Sequence, residues 1–330
     1  RSHAAIAEAT FEVTAGLSLV AGGRYTSDRK KIEYHAFSTT DAGAIPGFGF
    51  PGEVFASGGK TWNAFTPRVT VKYRPMQNVN LYATWAKGFK SGGFVDNAYL
   101  NPTIPLEPEK AQNYEIGAKT RLFDNMLDFN VALFKQKTKN LQNFSGAGGI
   151  AHTYNGTLKM KGIEVESVLR PVDGLRLTGN WTHLVGTYSD LRDPLVNLDY
   201  SGNPAKFAPR DSFTVGASYD LAMANGAKIT PQADFNYSAR ISTDDANTLR
   251  LYDNLYNDTK GRTLNARLNY ESADGRWTVG IWGKNLTNNY QIVNADDITA
   301  FLAVPGNGTT YWKIFTNTPR TYGVTLSLRP

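Results

Sequence analysis

Cysteine is missing from the chain altogether, which excludes both a disulfide framework and a thiolate metal site. Long apolar runs are missing too. No stretch of about 18 such residues occurs, so no helix of this chain could cross the roughly 30 Å of bilayer hydrocarbon, and a membrane reading must rest on strands. Histidine is scarce, with four residues, and the sequence holds neither an HExxH pattern nor a Gly-x-Ser-x-Gly elbow, so no catalytic site and no metal site is expected. An excess of one charge is also lacking. The 35 Lys and Arg and 29 Asp and Glu are spread along the chain for a net charge of +6, without a basic run or stripe, so nucleic acid is not an expected partner. The first residues, Arg1-Ser-His-Ala4, show no signal-peptide apolar stretch, and the sequence is expected to begin in a mature or truncated chain.

What is present is alternation. Apolar and polar residues trade places with period two from end to end, whereas amphipathic helical periodicity is essentially absent, and the fold class is therefore all-β. A mean hydropathy of −0.38 does not argue against a membrane barrel, because its strands place polar residues on the lumen side by construction. About twelve strands are expected, near 10–36, 61–74, 79–90, 111–123, 126–139, 153–170, 175–189, 210–220, 228–240, 261–271, 276–290 and 317–329. Most reach the roughly 9–11 residues that a tilted strand needs to cross a bilayer. The first should run outward and the last inward.

Register can be read at three hairpins. With Asp124-Asn125 as a two-residue turn, Leu122 opposes Leu127, Thr120 opposes Phe129 and Ala118 opposes Val131, and Arg121 meets Asp128 on the other face. Val69, Val71 and Tyr73 likewise continue into Val79, Leu81, Ala83 and Trp85 around residues 74–78. The hairpin between Tyr270 and Trp277 is read as mismatched in parity and in need of a bulge. Short turns at 74–78, 124–125, 171–174, 221–227 and 272–275 alternate with long connections near 37–60, 91–110, 140–152, 190–209, 241–260 and 291–316. That is the asymmetry between the periplasmic and outer sides of an outer-membrane barrel. Tyr73, Phe89, Phe123, Tyr188, Tyr219, Tyr270, Trp277 and Tyr290 near strand ends suit interfacial girdles. Ordinary β-propensity would also put aromatics there, but strand length and loop asymmetry favour the girdles.

Several motifs resemble a known family. Leu81-Tyr-Ala-Thr-Trp-Ala-Lys-Gly-Phe-Lys-Ser-Gly-Gly-Phe94 is followed by Leu106-Glu-Pro-Glu-Lys110 and Asn113-Tyr-Glu-Ile-Gly-Ala-Lys119. Then come Asn155-Gly156, Lys161-Gly-Ile-Glu-Val-Glu166, Ala208-Pro209, Gly283-Lys-Asn-Leu-Thr287 and Pro319-Arg-Thr-Tyr-Gly-Val-Thr-Leu326. Together they resemble the barrel of TonB-dependent outer-membrane receptors. The resemblance implies an antiparallel transmembrane β-barrel of 22 strands with an N-terminal plug. It also implies import of a scarce ligand, commonly a ferric siderophore, energised through the TonB complex acting on the plug, in the lipid and lipopolysaccharide of the bacterial outer membrane. About twelve strands would leave two unpaired edges in lipid, so the 330 residues are expected to be one segment of a longer barrel, its plug and early strands lying outside this sequence. The last strand alternates through Tyr322, Val324, Leu326 and Leu328 as in the family, but Pro330 stands where a terminal aromatic is expected.

Candidate ligand-binding residues are Phe89, Lys90, Phe94, Phe144 and Tyr154, near the long connections, where rings can stack on an aromatic chelator and a cation can meet an anionic iron complex. No cofactor is expected beyond a transported ferric chelate. Glu164, Glu166, Arg176, Arg267 and Lys284 fall on lumen faces and should contact a plug. Asp244-Asp245 and Asp296-Asp297 read as solvated loop charge rather than a cation site. His183 reads as a rim residue. Gly47-Phe-Gly-Phe-Pro-Gly52 and Gly59-Lys60-Thr61 imitate nucleotide loops without the required strand and helix, and both read as loop. The rival readings are a passive porin or barrel adhesin, and a soluble β-propeller, whose blades use shorter strands.

Overall fold

The computed structural model describes residues 1–37, 53–94, 103–145, 152–194, 197–297 and 311–329. Thirteen strands form one continuous antiparallel path. They are β1 (Ser2–Thr14), β2 (Leu17–Phe37), β3 (Glu53–Met76), β4 (Val79–Lys90), β5 (Glu109–Leu122), β6 (Leu127–Ser145) and β7 (His152–Leu169). The path continues through β8 (Leu175–Asp190), β9 (Asp211–Tyr219), β10 (Lys228–Ser238), β11 (Gly261–Glu271), β12 (Trp277–Lys284) and β13 (Thr321–Leu328). Each pairs with the next in sequence, and Leu221–Ala222 joins β10 as a fourteenth, two-residue strand. Among the described residues β1 pairs only with β2 and β13 only with β12, so the sheet does not close on itself.

The stretch 10–36 is not one strand. It is divided by a tight turn at Ala15-Gly16, where Gly16 adopts φ +85° and a Cβ would lie 2.5 Å from the Arg74 carbonyl oxygen. Only glycine fits there. Because of this extra turn β1 runs toward the short-turn end, as β13 does, so the first strand does not run outward as the sequence suggested. The Asp124-Asn125 hairpin has the expected register, from Leu122↔Leu127 through Ala118↔Val131, and its turn residues sit at φ 52° and 70°, the positive angles that a type I′ turn requires. Val69, Val71 and Tyr73 meet Trp85, Ala83 and Leu81 as read, with a register shift between Tyr73 and Met76. The expected bulge between Tyr270 and Trp277 is not there. Tyr270 pairs Val279 and Glu271 pairs Thr278 in an unbroken ladder, so Tyr270 and Trp277 already share a face, their rings 5.2 Å apart. Gly59-Lys60-Thr61 belongs to β3, paired to β2, and is not a loop; Gly47–Gly52 lies outside the described residues.

The sheet is apolar on the side that is most exposed. Ile116 and Val215 are 56% and 49% exposed, while Thr70 and Thr138 on the opposite face are 2% and 6% exposed. In water each such apolar side chain would forgo about 1.5–3 kcal/mol of burial, so this face calls for an apolar covering that the sheet itself does not supply. The polar face carries Glu164, Glu166, Arg176, Arg267 and Lys284, all at the same parity as Thr182, Asn180, Ser218, Trp282 and Thr321 across the ladder. Thr70 and Thr84 hydroxyls meet at 3.0 Å, and Tyr82 donates to Glu115 at 2.7 Å.

Strand tilt is visible in the register. At the short-turn margin the lowest apolar pair is Leu17–Tyr73 on β2 and β3, but Trp277–Leu328 on β12 and β13. Following the ladder, these pairs differ by about five outward-facing rows of about 6.6 Å, across eleven strand spacings of about 4.8 Å. The slope is roughly 30°, close to the tilt of about 35–45° that barrel closure demands. Tyr73, Tyr219, Tyr270 and Trp277 mark the lower margin, as expected. The upper margin is marked instead by Tyr25, Phe65, Trp85, Tyr114, Trp181, Phe213 and Tyr237. Tyr188 is no girdle residue, being 2% exposed inside a loop core.

Candidate ligand-facing site at the loop end

Beyond the upper aromatics the long connections fold onto one another in two places. The first lies over β3 to β7. Trp62, buried on the polar side of β3, packs edge-on against Phe94 at 5.7 Å, and the Lys30 and Lys60 ammonium groups stand 5.9 and 5.6 Å from its ring. Gly92 backs this ring so closely that a Cβ would fall 2.3 Å from the indole nitrogen. Lys90 pairs with Glu109 at 2.8 Å, and Glu109 also accepts the Gln142 backbone N–H at 3.0 Å. The Gln142 amide donates to the carbonyls of Ser91 and Glu107 at 3.0 and 3.2 Å, while Asn155 accepts from the Glu107 N–H at 3.1 Å. These bonds fasten the described parts of the β4–β5 connection to β6 and β7 by satisfying backbone groups that would otherwise be orphaned.

The second assembly joins the upper ends of β6 and β7 to described residues of the connections after β8, β10 and β12. Tyr154, Tyr188, Leu191 and Tyr200 form a small apolar core. Around it, His152 and Asp193 are both buried and 2.7 Å apart, and Asp245 takes a hydrogen bond from the Asn143 amide and an ion pair from Lys206 at 3.4 Å. Lys206 also donates to the Phe144 carbonyl at 3.2 Å. A neighbouring core of Leu249, Ile292 and Ala295 is covered by Trp312, and Thr243 donates to the Ala295 carbonyl at 3.1 Å. Asp244 and Asp245 are therefore not solvated loop charge as their sequence suggested: Asp245 is buried, and burial pushes the Asp244 carboxyl above its ordinary value. Asp296 is exposed. Among the described residues no cluster of three or more His, Asp or Glu could hold a metal.

The five sequence-named residues are spread over these features. Phe94 packs against Trp62, and Lys90 pairs with Glu109 beside that patch; Phe144 and Tyr154 belong to the second assembly, Phe144 exposed and Tyr154 buried. Phe89 stands apart, opposite Lys110 at the parity of Trp85 and Leu81, on the outer face. His183 is on the same outer face, 2.7 Å from Asp211. Trp62, Gln142, Asn155, Lys206 and Asp245 were not singled out. Trp62 could have been, because it is an aromatic at a position where β3 otherwise alternates Thr66, Arg68, Thr70 and Lys72.

A tilted, inside-out sheet with its connections gathered at one end matches the family model described as TonB dependent receptor-like, beta-barrel, over residues 1–328. The chain belongs to that family. Among curated relatives it is 29% identical to the metal-pseudopaline receptor CntO of Pseudomonas aeruginosa over 125 residues, 38% of this chain and 17% of the relative. It is 26% identical to the ferric-pyoverdine BN7/BN8 receptor of Pseudomonas putida over 244 residues, 73% and 26% of the two chains. The crystal structure of the ferric yersiniabactin uptake receptor FyuA from Yersinia pestis superposes with a TM-score of 0.78 at 18% identity, covering 98% of this chain and 45% of that one. The chain thus spans less than half the length of these relatives.

Proposed function

We propose that this sheet is part of the wall and outer loops of an outer-membrane receptor that imports a ferric siderophore or a similar scarce chelate, energised through TonB. The observation that carries the reading is the combination of a hydrocarbon-facing belt with loop assemblies packed at one end only. A passive pore would share the belt, so the fastened loop assemblies are what favour a receptor that holds a ligand at its mouth. The printed names of the relatives, metal-pseudopaline and ferric-pyoverdine receptors, support metal chelates as the ligand class. The two open edges favour completion of the cylinder by further strands of the same polypeptide, since unpaired backbone groups in hydrocarbon cost several kcal/mol each. In that reading the polar face, with Glu164, Glu166, Arg176, Arg267 and Lys284, lines the lumen against a plug through which TonB acts.

At the mouth, Phe94 and Phe144 offer ring faces while Lys30 offers a cation, with Lys60 and Lys90 nearby already paired with Glu107 and Glu109, a combination suited to an anionic chelate with aromatic or amide groups. Import consists of binding, plug movement and release, with the metal as cargo and no covalent step. Radiolabelled iron uptake in cells expressing the full receptor provides the test. Uptake should require both TonB and the proton gradient, and substituting alanine at Lys90, Phe94 and Phe144 together should weaken chelate binding at least tenfold. Uptake indifferent to the gradient would indicate a passive pore, and unchanged affinity would remove these residues from the site.

A further inference from the structure

On the outer face, directly above the apolar belt of β4 to β7, the ladder assembles lysines. In one row Tyr114 is followed by Lys135, Lys161 and Val185; in the next Lys87 is followed by Gln112, Lys137 and Lys159; in the third Phe89 is followed by Lys110, Lys139 and Thr157. Lys135, Lys137 and Lys139 continue the parity of Phe129, Val131 and Leu133, so they point to the same side as the apolar belt and away from the lumen. All seven lysines are exposed, and among the described residues none of them is in an ion pair. The nearest acidic register position on this face is Asp190, opposite Thr157 at the margin; Glu109, next to Lys110, has the opposite parity and pairs with Lys90.

Three of the cross-strand pairs, Lys110–Lys139, Lys137–Lys159 and Lys135–Lys161, set like charge directly against like charge, an arrangement that destabilises a sheet unless something anionic lies over it. Phe65, Lys87, Phe89, Lys110, Lys137 and Lys139 share one shallow groove on this face, and the Trp85–Tyr114 pair lies one row below, at the belt margin. Elsewhere around the wall the corresponding margin is aromatic: Trp181, Phe213 and Tyr237.

We propose that this lysine lattice is a binding site for the phosphorylated headgroup of an outer-leaflet glycolipid, the phosphates meeting the lysines and the acyl chains lying on the belt below. Charge complementarity fixes the ligand chemistry, and contiguity with the belt makes it a lipid rather than a soluble anion. The inference rests on the membrane reading of the wall given above.

The test uses the full receptor purified in detergent, titrated with bisphosphorylated lipid A and read by native mass spectrometry. Replacing Lys135, Lys137, Lys159 and Lys161 with glutamine should weaken binding at least tenfold, whereas arginine at the same positions should preserve it. Monophosphorylated lipid A should bind more weakly than the bisphosphorylated form, and phosphatidylglycerol and inorganic phosphate should compete poorly. Folding of each variant is checked by heat-modifiable gel mobility. Equal binding by the glutamine variant, or equal competition by phosphatidylglycerol or phosphate, would overturn the site. A wild-type receptor that stays soluble without detergent would instead overturn the membrane reading beneath it.

Discussion

The wall and the loop assemblies are built by opposite rules. In the wall, Ile116, Leu133 and Val215 stand exposed while Thr70 and Thr138 are buried, and cohesion comes from an unbroken ladder. In the loop assemblies the rule is the usual aqueous one: Tyr188, Leu191, Leu249 and Ile292 are buried, at 2% exposure or less. The difference teaches that the two parts are built for different surroundings. A single chain carries an outward-facing apolar girdle and, a few residues further along the same strands, conventional buried apolar cores. β6 shows the change within one strand, from Leu133 facing outward at the belt to Asn143 buried at the tip.

The comparison can be broken most forcefully in the belt. Val131→Arg, in the middle of the belt on β6, should cost about 2–4 kcal/mol near the bilayer midplane and reduce the folded, heat-modifiable band of the full receptor assembled into vesicles. The same residue at the lumen-facing Thr84 should leave that band in place. Next in size, Tyr188→Ala should remove about 3–5 kcal/mol of packing from the loop core alone. Hydrogen exchange at the 141–145, 152–158 and 197–206 segments should rise while the wall strands stay protected. If the wall loosened as well, the two regions would not be independent.

Much of the wall was legible because period two is a local signal with a strong physical cause. The Asp124-Asn125 register followed from matching faces, and the lumen parity of Glu164 and Arg267 followed from the same alternation. The turn at Ala15-Gly16 was missed because alternation runs through it with a single glycine as punctuation. The bulge at Tyr270–Trp277 was a false expectation, since the even-length loop already preserves parity. The loop assemblies were not legible. Asp245 meets Asn143 and Lys206 across three separate connections, and no local pattern announces contacts between segments that far apart in sequence.

Smaller effects sharpen the contrast. Asp128 accepts from Arg121 at 2.8 Å and Arg170 at 2.9 Å at the short-turn end, so Asp128→Asn should cost only about 0.5–1 kcal/mol, read as a small shift in the denaturant midpoint of the wall. In the loops, burial raises the Asp244 pKa above its ordinary 3.8. The folded state therefore binds this proton more tightly than the unfolded one. Stability linked to it is gained as pH falls through the raised value and is complete below 3.8. Exchange protection of residues 239–260 should increase on mild acidification, and Asp244→Asn should remove that increment.

Single cysteines placed along β6 from Phe129 to Leu133, in a chain that has none of its own, can carry a spin label in the full receptor reconstituted in bilayers, with any cysteine elsewhere in that receptor replaced by serine. Labels at Phe129, Val131 and Leu133 should be relaxed by oxygen dissolved in the lipid, and those at Asn130 and Ala132 by a water-soluble nickel chelate, alternating with period two. A flat profile, or oxygen contact at Asn130 and Ala132 instead, would show that the apolar face does not meet hydrocarbon.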